Sequence, residues 1–475
     1  MNVLARTQSI CSVCKRVVPA ELVEREQGVW LVKRCESHGG GEALISSDAA
    51  WYREMCAFGS QPAGASQPAG ACRGDCPQVR GLCRAHERPI RLPVVPVTSA
   101  CNLRCPVCYT LNNHRVPFHM SCAEFAAILR QIRQMDPMQQ IINFTGGEPL
   151  MHPEFVRLVE MCHEAGIRRI TISTNGLCFL QDERLLADLC RLNARIVLSW
   201  NSFQARPYLL TAGADLLEDK LRILALLARY KPVTTLLTVV AAGVNDQEIG
   251  SIVRTVMESD FIVSSEIHTI TFTGQNERRM DHALRLTTPD VLRSITAGNP
   301  WMRSDDFLPS PCAHPLCYSI CYALRLGGGD WVPLARLVSR ARLYELLRGQ
   351  LYLEPGPATE QLFREIIDDL WTREDASLDS GRILKRLRAM MDALFPPQPL
   401  DDRERQKRAE QYMKAVYIHS HMDADNFDLA RLRQCCVAVP SEDGRFVPTC
   451  AYNNFHRARD ARFVAPDGDP ACATS

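Results

Sequence analysis

Short apolar strands alternate with amphipathic helices across residues 94–275, which predicts an α/β fold. Each repeat takes about 30 residues, as strand–helix–strand units do, so the sheet is parallel and either open or closed into a barrel. The chemistry-bearing residues of this region fall just after the C-terminal ends of strands, where such folds place their sites.

The 475 residues suit two to four domains. The hydrophobic fraction of 46% supplies a substantial core, and a net charge of +1 predicts no nucleic-acid partner. No apolar run is long enough for a transmembrane segment, and Met1–Arg16 lacks the apolar centre of an export signal. A cytoplasmic protein is expected. There are 21 cysteines, most in tight groups, and grouped cysteines in such a chain point to metals rather than disulfides. Cys162 and Cys190 fall on helical apolar faces and read as small core residues.

Residues 1–56 read as a metal-binding ribbon. Cys11-Ser-Val-Cys14 is a knuckle, Val17–Val32 a hairpin turning at Gln27-Gly28, and Cys35-x-x-His38 the far end. Two Cys followed by Cys and His suit zinc or a single iron; Cys56 is the alternative to His38 as fourth ligand. Residues 57–71, with SQPAGA twice, read as a flexible linker. Residues 72–93 form a second cysteine segment with Cys72, Cys76 and Cys83.

The core is expected over 94–300. Pro93–Val97 leads into Cys101-Asn102-Leu103-Arg104-Cys105-Pro106-Val107-Cys108-Tyr109. Ser121-x-x-Glu124 is a capping box, followed by the stripe Phe125, Ile128, Leu129 and Ile132. Strand Ile141–Phe144 ends at Thr145-Gly146-Gly147-Glu148-Pro149. Later strands are expected at Arg169–Ser173, Ile196–Trp200, Val233–Val240 and Ser265–Phe272. Between them lie helices near 153–165, 183–191, 216–230 and 247–257. From the residues alone, Thr174 and Asn175 read as turn residues and Asn245 as an N-cap.

Residues 301–475 change character. Cys312, Cys317 and Cys321 open them, long amphipathic helices follow, and Cys435-Cys436 and Cys450 close them. The turn Glu442-Asp443-Gly444 predicts a hairpin that brings Cys436 and Cys450 together. His419 and His421 stand in a stretch read as helical, where a histidine is surface or core unless it faces the active site.

The triad Cys101-x3-Cys105-x2-Cys108, its following aromatic and the downstream Gly-Gly-Glu-Pro resemble the signature of radical S-adenosylmethionine (SAM) enzymes. The resemblance implies a partial (β/α)6 TIM-like barrel. It also implies three cysteines holding a [4Fe-4S] cluster whose fourth iron chelates SAM, and reductive cleavage to a 5′-deoxyadenosyl radical. On the same footing it makes Tyr109, Gly146, Gly147, Glu148, Thr174, Asn175, Ser199, Asn201 and Asn245 SAM contacts. Asn201 departs from the commoner Asp. The remaining cysteines resemble the branch that includes archaeal tetraether lipid synthase and a radical SAM methylase of a dihydro-hydroxymethylpterin. That branch implies auxiliary iron sites, one on Cys72, Cys76 and Cys83 and one on Cys312, Cys317, Cys436 and Cys450, with Cys435 and Cys321 in reserve. Cys83 follows Cys76 at an unexpected spacing. Carbon–carbon bond formation on a pterin-like small molecule or between lipid chains is implied, with a flavodoxin- or ferredoxin-type electron donor. The region 331–430 walls a lipid groove or is scaffold. A peptide-modifying radical SAM enzyme and a non-catalytic zinc-ribbon binding protein are the other classes.

Overall fold

The computed structural model describes residues 2–59, 76–78, 81–112, 116–277, 279–372 and 379–464. Cys72 and most of the 57–71 linker lie outside them.

Four antiparallel strands, β1 (Asn2–Ile10), β2 (Val17–Arg25), β3 (Gly28–Cys35) and β4 (Gly39–Ser46), form the N-terminal sheet in that order. The hairpin β2–β3 lies where the alternating apolar residues predict it. β1 and β4 widen it into a sheet whose Leu22, Val29 and Leu31 pack with Trp51, Tyr52 and Met55 of the helix Ala49–Gly59.

The second sheet begins with β5 (Leu92–Thr98), β6 (Ile141–Gly146), β7 (Arg169–Thr174), β8 (Arg195–Ser199), β9 (Thr234–Val240) and β10 (Ile262–Thr269). These six are parallel and neighbour one another in chain order. Right-handed crossovers are what such an order demands. The capping box is present: Glu124 N donates to Ser121 Oγ, and Glu124 Oε2 accepts from Ser121 N at 2.8 Å. The buried face of helix Cys122–Met135 is Phe125, Ile128, Leu129 and Ile132.

The last third corrects the expectation of a mainly helical region. It contributes β11 (Leu308–Pro309), β12 (Tyr318–Gly327), β13 (Asp330–Pro333), β14 (Met413–His419), β15 (Val437–Pro440) and β16 (Phe446–Pro448). β14 adds in parallel to β10 and β15 adds in parallel to β5, so the C-terminal region extends the core sheet at both ends. The 413–419 segment is a strand rather than a helix because it has two partners, β10 and antiparallel β12. β10 likewise runs three residues earlier than read, paired from Ile262. The expected hairpin forms as β15–β16, with Ala438 opposite Pro448. Helices Pro357–Thr372 and Ser380–Leu394 bury their apolar faces, through Leu362, Phe363, Ile366, Leu387 and Met390, in a second core shared with Ile320 and Leu324 of β12 and Ala415 of β14.

Candidate active site

A cavity of about 340 Å³ opens at the strand ends and is lined from both flanks of the sheet. Cys101, Cys105, Cys108 and Tyr109 line one side; Gly146, Gly147, Glu148, Thr174, Asn175, Ser199 and Asn201 line the floor beside them. The far side brings in Glu266, His268, Tyr318, His419 and His421. Asn245 does not reach the cavity.

The glycines have a local reason. A Cβ on Gly146, whose φ is +141°, would sit 2.2 Å from Thr98 O, and one on Gly147 would sit 2.1 Å from Ala100 O. Their bareness seats β6 against the backbone that enters the cysteine loop. Gly147 N then donates to Thr98 O and Glu148 N to Ala100 O, at 2.8 and 2.7 Å. The two motifs are one hydrogen-bonded unit.

Glu148 is buried and engaged by protein donors. It accepts from Thr174 Oγ1 at 2.7 Å, Asn175 N at 2.8 Å and Leu150 N at 3.1 Å. Burial raises its carboxyl pKa against the pull of those donors. Asn175 Nδ2 donates to Asn102 Oδ1 in the cysteine loop at 2.7 Å. Asn201 donates to Thr211 Oγ1 and accepts from Val239 N, both at 3.1 Å. Asn245 accepts from Ala241 N and donates to Asn201 O and Val239 O. It ties two strand ends together and makes no side-chain cap bond, although it holds the N-cap position.

Sequence reasoning missed Lys220. Its ammonium donates to Asn175 O at 2.6 Å, Ser199 O at 2.8 Å and Ser199 Oγ at 3.0 Å. Burial brings its pKa down to about 8. In the sequence it is one cation on an amphipathic helix; only its burial, 1% exposed, distinguishes it. Arg169, over the Tyr352 ring at 3.7 Å, and Tyr417 were also missed at the opposite end of the cavity.

The donor set fits an iron–sulfur cluster. Cys101, Cys105 and Cys108 come from one loop and face one space. Leu103 N donates to Cys101 Sγ at 3.4 Å and Asn112 Nδ2 to Cys108 Sγ at 3.8 Å, contacts of the kind that tune clusters. Burial pushes Cys105 up to about 12 and Cys101 higher, so these thiols ionise when a metal takes the proton's place.

The other cysteines separate into two neighbourhoods. Cys11, Cys14, Cys35 and His38 present ligand atoms within 4.8 Å of one another, whereas Cys56 lies apart on the 49–59 helix. Burial opposes ionisation of Cys11, but the amides of Cys14 and Val13 outweigh it and bring the thiol down to about 6. In the C-terminal region, burial raises Cys435 and Cys436. Cys450 and Cys317 add to the first; Cys312, Cys435 and Cys317 add to the second. Arg431 Nε donates to Cys317 Sγ at 3.2 Å. Cys321 instead faces the main core with Ala323 and Trp331. Ala85 N donates to Cys83 Sγ at 3.4 Å, repeating the i to i+2 amide–sulfur bond of Cys11 and Cys101, and Cys76 is buried in the same core as Cys312 and Cys436.

The family matches agree with the motifs that build this site. Residues 95–256 match the radical SAM superfamily, and residues 3–47 match the HMPTM N-terminal zinc ribbon domain. The chain is similar to 7,8-dihydro-6-hydroxymethylpterin dimethyltransferase of Methanocaldococcus jannaschii, at 24% identity over 97% of this chain and 96% of that protein. A GTP 3′,8-cyclase of Synechocystis sp. is 27% identical over 38% of this chain and 54% of its own length. Among solved structures, Streptococcus suis SuiB bound to its precursor peptide SuiA gives a TM-score of 0.37 at 19% identity, covering 44% of this chain and 45% of that one. The hydrogenase maturase HydG of Carboxydothermus hydrogenoformans gives 0.38 at 10%, covering 69% and 85%. Residues 95–256 are thus a radical SAM domain behind a zinc ribbon at 3–47, and the cofactors of such a domain are a [4Fe-4S] cluster and SAM.

Proposed function

We propose that this enzyme methylates a carbon of a pterin-like small molecule. The similarity to the pterin dimethyltransferase carries the proposal, because it runs through ribbon, core and C-terminal region alike. The cavity supports it. Among apolar lining residues such as Ile141, Leu237 and Leu351 it carries Arg169, Tyr352, Tyr417, Asn143 and Thr171, polar and aromatic groups suited to a flat heterocycle. The helices of 357–394 bury their apolar faces in the core they share with β12, β14 and the C-terminal cysteine segment, and none of their described residues lines the cavity.

In this reading Cys101, Cys105 and Cys108 hold the cluster. When bound, the cluster supplies the electron that cleaves SAM to a 5′-deoxyadenosyl radical. Gly146 and Gly147 seat the strand end under it, and Glu148 holds the Thr174–Asn175 backbone. Lys220 fixes the carbonyls of Asn175 and Ser199, so the SAM bed is preorganised. Auxiliary iron sits among Cys312, Cys317, Cys435, Cys436 and Cys450, a second auxiliary cluster draws on Cys76 and Cys83, and the ribbon takes zinc or a single iron. A flavodoxin- or ferredoxin-type protein in the cytoplasm delivers the electron.

The test is anaerobic reconstitution with iron and sulfide, reduction, and incubation with SAM and a reduced hydroxymethylpterin. We expect 5′-deoxyadenosine together with a pterin heavier by one methylene per methyl added. A Cys101→Ala variant should form neither. Deoxyadenosine without a pterin product would reject the substrate class; no deoxyadenosine from iron-loaded wild type would reject the assigned site.

A further inference from the structure

Three imidazoles converge on the wall of the cavity facing the cysteine loop. His268 ends β10, His419 ends β14, and the two are direct partners in the parallel ladder. His421 follows two residues later and returns to the same wall. The ring centroids are 4.9, 5.4 and 4.1 Å apart for the pairs His268–His419, His268–His421 and His419–His421. The planes cross at 87°, 73° and 49°, so these rings do not stack on one another. One ring nitrogen from each lies within 4.8 Å of the other two, and all three residues are buried.

We propose that His268, His419 and His421 bind one divalent transition-metal ion through nitrogen alone, with its remaining coordination positions open to the cavity. Three histidines with an open position are a recurrent arrangement for zinc, and imidazole suits iron as well. The nitrogens need to close from their present spacing, within 4.8 Å, to the ~3.4 Å edge of a tetrahedron with metal–nitrogen bonds of ~2.05 Å.

The surroundings already hold each ring. Glu266 Oε1 lies 2.8 Å from His268 Nε2, which leaves Nδ1 for the metal in the carboxylate–histidine arrangement that orients ligands elsewhere. Tyr318 stacks on His419 at 3.9 Å and 17°, and Tyr109 stacks on His421 at 5.3 Å and 21°. Tyr109 directly follows Cys108, so the ion would stand beside the SAM end of the cavity. There its open positions take a nitrogen or oxygen of a small heterocyclic substrate. The ion site does not depend on which heterocycle that is, though its partner substrate rests on the reading above.

The experiment uses cluster-replete protein, stripped of loosely held ions and dialysed anaerobically against zinc, with ferrous iron in a parallel arm. Wild type should bind two equivalents beyond the clusters, one in the ribbon and one at the histidines. Cys35→Ser should lose the first, and His421→Gln and His268→Gln the second. Retention of the ribbon equivalent by the histidine variants verifies their folding. Glu266→Gln should weaken the histidine site 10- to 100-fold. In Cys35→Ser protein, X-ray absorption at the zinc edge should show only nitrogen or oxygen neighbours, a reading that needs no histidine variant. Sulfur neighbours there, a single equivalent in wild type, or two equivalents kept by both histidine variants would overturn the proposal. Deoxyadenosine formation, assayed separately, tests the radical chemistry independently of this ion.

Discussion

A single ammonium illustrates how the site is held. Lys220 is buried, so its folded-state pKa, about 8, lies below the ordinary lysine value of 10.5. Below pH 8 folded and unfolded chains both carry the charge, and burying it costs stability. Between pH 8 and 10.5 the unfolded chain holds the extra proton, so this residue's contribution to stability improves as pH rises. Function should move the opposite way. Loss of the charge weakens the hold on Asn175 O and Ser199 O, whose residues line the cavity proposed to take SAM. We expect SAM affinity to fall as pH rises through about 8. Lys220→Met should reduce affinity roughly tenfold, the loss of one charged hydrogen-bond contribution of about 1.5 kcal/mol, and abolish that pH dependence. Isothermal titration of iron-loaded protein across pH 6.5–9.5 reads both. An unchanged pH profile in the variant would assign the dependence elsewhere.

Among the elements, helices Ile249–Glu258 and Thr288–Gly298 show how close packing aligns the core. They meet at Gly250 and Gly298, where a Cβ on either would lie 2.6 Å from the other's Cα. Gly250→Ala must push the helices apart and should cost about 1–3 kcal/mol, the usual penalty for overpacking. Denaturant unfolding followed by circular dichroism measures it; a change below about 0.5 kcal/mol would mean the crossing relaxes freely. A second device recurs at element junctions. Lys33 donates to the carbonyls of Ile10, Ala424 and Asp425 and so fastens the ribbon to the C-terminal loop. Lys414 does the same for Val256, Met257 and Ser259, joining β14 to the end of the 249–258 helix. Each buried charge is held by oriented carbonyls, with carboxylates nearby: Asp425 and Asp423 for Lys33, Asp260 for Lys414.

Over the whole molecule, the C-terminal region is part of the core sheet rather than an appendage. β14 and β15 extend opposite ends of the parallel sheet, and the residues they carry, His419 and Val437, line the same cavity. The thiols Cys312, Cys317, Cys435, Cys436 and Cys450 are close enough to shift one another's ionisation, and Cys450 Sγ lies 3.9 Å from His421 Nδ1. Cys321 sits on β12 within the main core instead. Iron analysis after reconstitution should therefore show Cys317→Ala losing one cluster's iron while Cys321→Ala keeps the wild-type content. Loss in the Cys321 variant without unfolding would show that the thiols are shared differently. Among the described residues no helix is long and apolar enough to cross a membrane.

Much of the core was legible in the chain. Apolar periodicity located the six strands β5–β10 and their helices to within a few residues, because each element buries one face and local spacing records it. Spacing also located the Cys101–Cys108 loop, the ribbon knuckle and the β15–β16 hairpin, since those are local turns. What tertiary structure alone decided is whatever depends on partners distant in sequence. Met413–His419 is a strand only because β10 and β12 flank it. His38 rather than Cys56 completes the ribbon group because the hairpin folds it there. Glu148 and Lys220 act on Thr174, Asn175 and Ser199 across three different strand ends. The three histidines meet because β10 and β14 lie side by side, a pairing set by the whole sheet and written in no local pattern.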